Sequence, residues 1–109
     1  MALTVLPLLT ERKEEQFNIF DALLDALEKN NARLNEGDIL VISTKYISNS
    51  QNRIVNLQNI KTSKEAFNIS KKFQIKPEMA EIIIRESDKI FGGILGFVIA
   101  SVDNIMAPN

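Results

Sequence analysis

"GDILVISTKYISNSQNR" (residues 37–53) runs from a turn pair through four apolar residues into an almost wholly polar tail. Ile39–Ile42 is short, rich in β-branched residues and free of polar ones, the composition of a strand buried on both faces. Gly37-Asp38 supplies the turn before it. After Ile42 the character reverses, and hydroxyls, amides and the cations Lys45 and Arg53 follow one another. A buried strand that empties into such a loop is where α/β-type proteins commonly hold anions and nucleotides. Ser43, Thr44, Ser48 and Ser50 can donate to phosphate, and Lys45 and Arg53 can neutralise its charge. The same residues also suit a plain polar loop that caps the next helical turn. Residue chemistry alone leaves both readings standing.

Working outward, "QFNIFDALLDALEKNN" (residues 16–31) places Phe17, Phe20, Leu24 and Leu27 on one helical stripe, with Leu23 beside it, and these are expected to be core. Asn30-Asn31 ends the helix, since Asn tolerates the left-handed conformation at a helix C-terminus. Before it, "LTVLPLL" (residues 3–9) reads as an edge strand turned into a loop by Pro7, and "TERKEEQ" (residues 10–16) as a solvated loop and first helical turn. On the other side, "RIVNL" (residues 53–57) suits a brief strand or an extended loop. "TSKE" (residues 62–65) has capping-box spacing from Thr62 to Glu65 and opens a helix burying Ala66, Ile69 and Phe73, with Phe67 at its edge. Pro77 suits the first turn of a further helix, "PEMAEIIIRESDKI", with Met79, Ile82, Ile83 and Ile90 inward and Gly92-Gly93 breaking it. "ILGFVIASVDNIMA" (residues 94–107) closes as a hairpin turning at Asp103-Asn104. The expected fold is α+β: roughly four strands (an edge strand, a central buried strand and a C-terminal hairpin) with about three helices, in one domain or part-domain over residues 1–109.

Composition narrows the chemistry. The 109 residues are 45% hydrophobic and 25% charged, ordinary for a globular chain, and a net charge of −1 carries no electrostatic signature of nucleic acid. With no Cys and no His, a thiolate nucleophile, a zinc–thiolate site and the usual neutral-pH general base are all excluded from these residues. The carboxylates are scattered; Glu78 and Glu81 read as favourable charge in a helix's first turn, and no set of Asp and Glu has metal-site spacing. Gly92-Gly93-Ile94-Leu95-Gly96 lacks the lysine of a phosphate loop. The longest apolar stretch, Ile94 to Ala100, is far short of the roughly 20 residues of a membrane span, and no signal-peptide pattern opens the chain, so a cytoplasmic protein without membrane or nucleic-acid partners is expected.

The residues 37–55 resemble the strand and loop of the coenzyme F-420-0:γ-glutamyl ligases, which read Gly-Asp-Val-Leu-Val-Val, then Ser or Thr, then Ile-Ser-Lys-Ala-Glu-Gly-Arg. The likeness continues through "TSKEAFNISKKFQIKPEMAEIIIRES" (residues 62–87), where the family has a Ser-Glu-Arg-Ala opening, a Lys-Pro joint and a Glu-Ser ending, and through "GFVIASVDNIMAPN" (residues 96–109). Its strength lies in the order and spacing of these pieces. The resemblance implies GTP-dependent amide formation between F-420-0 and L-glutamate through an acyl phosphate, with Mg²⁺ or Mn²⁺ on the triphosphate. It implies nucleotide contacts at Thr44, Lys45 and Asn49, and at Leu6, Pro7, Leu8 and Leu9, which are similar to the family's Leu-Pro-Leu-Ile loop but farther from Gly37 than usual.

Two departures stand out. Asn49 occupies the place of the family's loop lysine, with Gln51-Asn52 for its Glu-Gly pair. The family also continues past Asn109 with Ala-Gly-Ile-Asp, whose Asp ligates metal, so the expectation is the N-terminal region of a longer ligase, inactive by itself, and a homo-oligomer or the partner of a C-terminal half. The alternatives are a non-catalytic nucleotide-binding or protein-interaction domain on the same fold, and a different acid–amine ligase. No catalytic residue is assigned.

Overall fold

In the computed structural model, which describes residues 2–109, the chain divides into two units, Met1–Val55 and Asn56–Asn109. The first unit is built on two helices. Helix α1 (Ile19–Lys29) starts where the Asn18 side chain accepts a hydrogen bond from the Asp21 N–H at 3.1 Å. It stops at Asn31, whose φ of 50° is left-handed, while the N–H groups of Asn31 and Ala32 donate back to Glu28 and Leu27. Its inward side centres on buried Ala22 and Ala26, with Leu23 and Leu27 half-buried. The expected core stripe is therefore corrected: Phe20 and Leu24 are 73% and 65% exposed, because the helix packs through its small residues, where backbones approach closely.

Residues 44–50, expected to be loop, form helix α2 (Thr44–Ser50). Asn52 (φ 57°) closes it as Asn31 closes α1, with Arg53 N–H donating to Ser48 O at 2.8 Å. The two strands expected in this unit are not strands among the described residues. Ile39–Ile42 follows the turn in which Asn35 N–H donates to the Asp38 carboxylate but carries no regular structure, and Ile39 and Val41 are each 87% exposed. Leu3 to Leu9 likewise carries no regular structure. The physical reason is that a strand exists only with a ladder partner, and neither stretch has one here.

The second unit follows its sequence signals more closely. A 3-10 turn (Leu57–Asn59) leads to helices α3 (Lys64–Phe73) and α4 (Pro77–Glu86) and to an antiparallel sheet of β1 (Lys89–Ile94), β2 (Phe97–Val102) and β3 (Ile105–Pro108), in that order. The α+β class is thus met, among the described residues, by four α-helices and three strands. Ser63, one residue later than the expected Thr62, caps α3 by accepting from Ala66 N–H at 3.1 Å. Its reciprocal acid is Glu81 of α4, which accepts from the Ser63 N–H at 2.8 Å and hydroxyl at 2.7 Å, and from Arg85 Nε at 3.0 Å. Pro77 stands in the first turn of α4 as expected, but the helix ends at Ser87. Its inward face is Ala80, Glu81 and Ile83, while Met79 is exposed and Ile90 lies in β1. Phe73, Ile83, Val98 and Ala100 form the core, with Ile69, Ile75 and Ile90 packed on it. Gly92-Gly93 does not break a helix; it sits in β1, where a bulge shifts the register between Ile90 and Gly92. Asp103 and Asn104, both at positive φ, make the β2–β3 turn as their position indicates.

Candidate functional site

The first unit holds a cleft of about 160 Å³ into which three segments project: Leu9 to Lys13 of the N-terminal segment, Ala22 to Lys29 of α1, and Tyr46 of α2. Each arrives for a local reason. The two alanines of α1 leave room for the cleft's wall. Tyr46 turns inward and stacks at a tilt on Phe17, ring centres 5.0 Å apart. Lys13 Nζ stands 5.4 Å from the Phe17 ring centre on that ring's face. The Tyr46 hydroxyl is buried and has no hydrogen-bond partner among the described residues, an uncommon condition for a phenol.

Charge in the cleft is paired around Lys29. Its ammonium lies 2.7 Å from Glu11 and 2.9 Å from Asp25, the latter one helical turn away on α1. The hydrogen bond from Lys29, then its positive charge, holds the Glu11 carboxyl below the usual carboxylate range. Hydrogen bonds to Glu11 and then Asp25 push the Lys29 ammonium up. All three side chains are more than half exposed, so solvent screens these contacts and each is worth little in stability.

The residues nominated from the sequence fall as follows. Thr44 is the first residue of α2, and Lys45 and Asn49, four apart, share one side of it. Lys45 is exposed and Asn49 half-buried, and no ion pair occupies Lys45 among the described residues. Leu6 and Pro7 are exposed and Leu8 half-buried. Leu9 alone of these seven lines the cleft, and Tyr46, next to Lys45, brings α2 to the same place. Sequence reading missed Tyr46, Glu11 and Lys29. The i,i+4 spacing of Asp25 and Lys29 was legible, but Glu11 carries no sequence signal that it would join them.

In the second unit a larger cleft, about 360 Å³, is lined mainly by apolar residues of α4, β2 and β3, with the carboxylates Glu86 and Asp103 and no cationic side chain. That lining offers a polyphosphate no cation. Among the described residues no three His, Cys, Asp or Glu side chains converge as a metal site, so these residues alone do not fit the Mg²⁺ or Mn²⁺ that the resemblance implies. Among the described residues no helix is long and apolar enough to cross a membrane.

Comparison with known proteins places these features in a family context. The family model described as F420-0:Gamma-glutamyl ligase matches residues 9–109. A coenzyme F420:L-glutamate ligase of Methanothermobacter thermautotrophicus is 34% identical over 68 residues, which are 62% of this chain and 27% of that protein. Ligases of the same name from two strains of Methanococcus maripaludis are 38% and 36% identical over 56 residues, 51% of this chain and 23% of each relative. The chain therefore spans about a quarter of the length of the curated relatives it matches. No solved structure matches it.

Proposed function

The chain belongs to the F420-0:gamma-glutamyl ligase family, and from that premise we propose that it supplies the nucleotide-facing part of a ligase that joins L-glutamate to coenzyme F-420-0 using GTP. The observation that carries this reading is the meeting of Leu9 and Tyr46 on one cleft. They come from the two segments whose resemblance to the family implies nucleotide contact, and they are far apart in the chain. In the reaction, the F-420-0 carboxylate attacks the γ-phosphorus of GTP and GDP leaves, giving an acyl phosphate. The glutamate amine then attacks the acyl carbon, phosphate leaves and the amide forms. This chain's part is to bind and orient: Lys45 neutralises phosphate charge, Thr44 and Asn49 hydrogen-bond the nucleotide, and Leu9 walls one side.

Calorimetric titration with GTP and Mg²⁺ tests the placement. A charge-assisted contact of roughly 1.5–3 kcal/mol means that Lys45→Ala weakens GTP binding about ten-fold or more. Asn49→Lys, which restores a cation, strengthens binding or leaves it unchanged. GTP affinity unaffected by Lys45→Ala removes the nucleotide from this segment. Asn49, neutral where the family carries lysine, favours a second reading as a non-catalytic nucleotide-binding domain. Glutamate-dependent phosphate release in the presence of F-420-0 separates the two.

A further inference from the structure

Residues 2–16 contain no helix or strand, and among the described residues a single hydrogen bond attaches them to the rest of their unit: Lys29 Nζ donating to Glu11 Oε1 at 2.7 Å. Lys29 is itself braced from below by Asp25 at 2.9 Å, in the last turn of a helix whose C-terminus is closed by Asn31. The donor side of the contact is therefore held, and the acceptor side rides on a segment that carries no regular secondary structure. Glu11 stands two residues after Leu9, and both line the cleft together with Thr10 and Lys13. Lys13, the next cation, lies over Phe17, which stacks on Tyr46 of α2.

We propose that Lys29, held by Asp25 and bonded to Glu11, is a positioning residue: a charge clamp that seats the N-terminal segment on the cleft between α1 and α2. The clamp sets how often Leu6 to Leu9 lie where the proposed nucleotide site needs them, and in that respect alone it rests on the function proposed above. Because the pair is solvent-exposed, it is a weak clamp, released by salt and by loss of either charge. A weak clamp suits a segment that must admit a ligand and then close.

Two measurements separate the clamp from the nucleotide site. Limited chymotrypsin digestion reads the segment directly, through cleavage within Leu8 to Thr10, and needs no ligand. Lys29→Met and Glu11→Gln should each speed this cleavage about two- to five-fold, the range that an exposed ion pair supports. Lys29→Arg should stay at the parent rate. The charge-swapped double variant Glu11→Lys/Lys29→Glu, in which the new lysine faces two carboxylates, should return to within about two-fold of it. Added salt should speed cleavage of the parent and leave Lys29→Met unchanged. Circular dichroism of each variant checks that α1 persists. Unchanged cleavage in Lys29→Met overturns the clamp, and so does faster cleavage that the charge swap leaves uncorrected. GTP titration is the second arm: binding should weaken in Lys29→Met and recover in the swap. A parent chain that binds no GTP defeats the proposed function, while the digestion still decides the clamp.

Discussion

At the scale of single residues, Glu81 has exchanged most of its water for three donors. It is 8% exposed, and its carboxyl is held below the usual range first by the Ser63 hydroxyl, then by the Ser63 N–H, against the opposing effect of burial and with a further contribution from Arg85. A carboxyl whose folded pKa is depressed stabilises the fold above its unfolded value, near 4.5, and that contribution is lost as pH falls through the lower folded value. Thermal melts of the parent should therefore fall more steeply below pH 4.5 than those of Glu81→Gln, which has nothing to titrate there. At neutral pH the variant should melt lower, since an amide is a weaker acceptor for Arg85 and for the Ser63 cap. Parallel melting curves for the two proteins across the acid range would remove Glu81 from the account. The same residue shows why single-residue reading has limits. Its position suggested ordinary first-turn charge, and only the packing of α4 on the start of α3 makes it the reciprocal half of a cap.

At the scale of elements, two positions of the second unit test what shapes its joints. Gln74 follows α3 at φ 53°, with Ile75 N–H donating to Ser70 O, a left-handed close that a residue with a Cβ adopts under strain. Gln74→Gly relieves it and should stabilise the unit by about 1 kcal/mol, read as a higher urea midpoint. Gly93 presents the opposite case. Its conformation is ordinary, but a Cβ there would stand 2.2 Å from the Phe97 carbonyl oxygen and 3.0 Å from Val98 Cα. Both are backbone of the adjoining strand, so neither can rotate away. Gly93→Ala should lower stability by roughly 2 kcal/mol or more, with the loss seen first as exchange of the β1–β2 amides. A midpoint equal to the parent's would mean that the two strands are not held at this spacing. The glycine pair that looked like a helix breaker is thus a strand feature, selected by closeness to a neighbour.

Across the whole molecule, hydrogen bonding is unevenly shared. In the first unit, residues 2–16 and 39–42 donate no backbone hydrogen bond to any described residue, and Ile39 and Val41 lie open to solvent. In the second, α3, α4 and three paired strands surround a core with Val98 fully buried. Opening free energies follow such differences. Amide exchange should therefore find residues 2–16 and 39–42 unprotected within the first time point, and α3, α4 and β2 the most protected. Strong protection at Ile39–Ile42 would mean that this segment is paired in solution, as its strand-like composition suggests.

The sequence by itself determined the helices α1, α3 and α4, the α+β class, the turn at Asp103-Asn104 and the family, whose likeness runs through ordered short motifs. Those features rest on bonds between residues a few positions apart: caps at Asn18 and Ser63, Pro77 in a first turn, Asn31 after a last one. Local bonds leave local signatures. Only the tertiary structure decided that Ile39–Val41 runs exposed and unpaired, that the polar tail after it is helical, and that Phe20 and Leu24 face outward. It alone brought Glu11 to Lys29, eighteen residues away, and Glu81 to Ser63 across the same separation. A strand, a buried face and an ion pair of that reach each depend on what lies opposite, and the segment that needs the partner does not encode where the partner is.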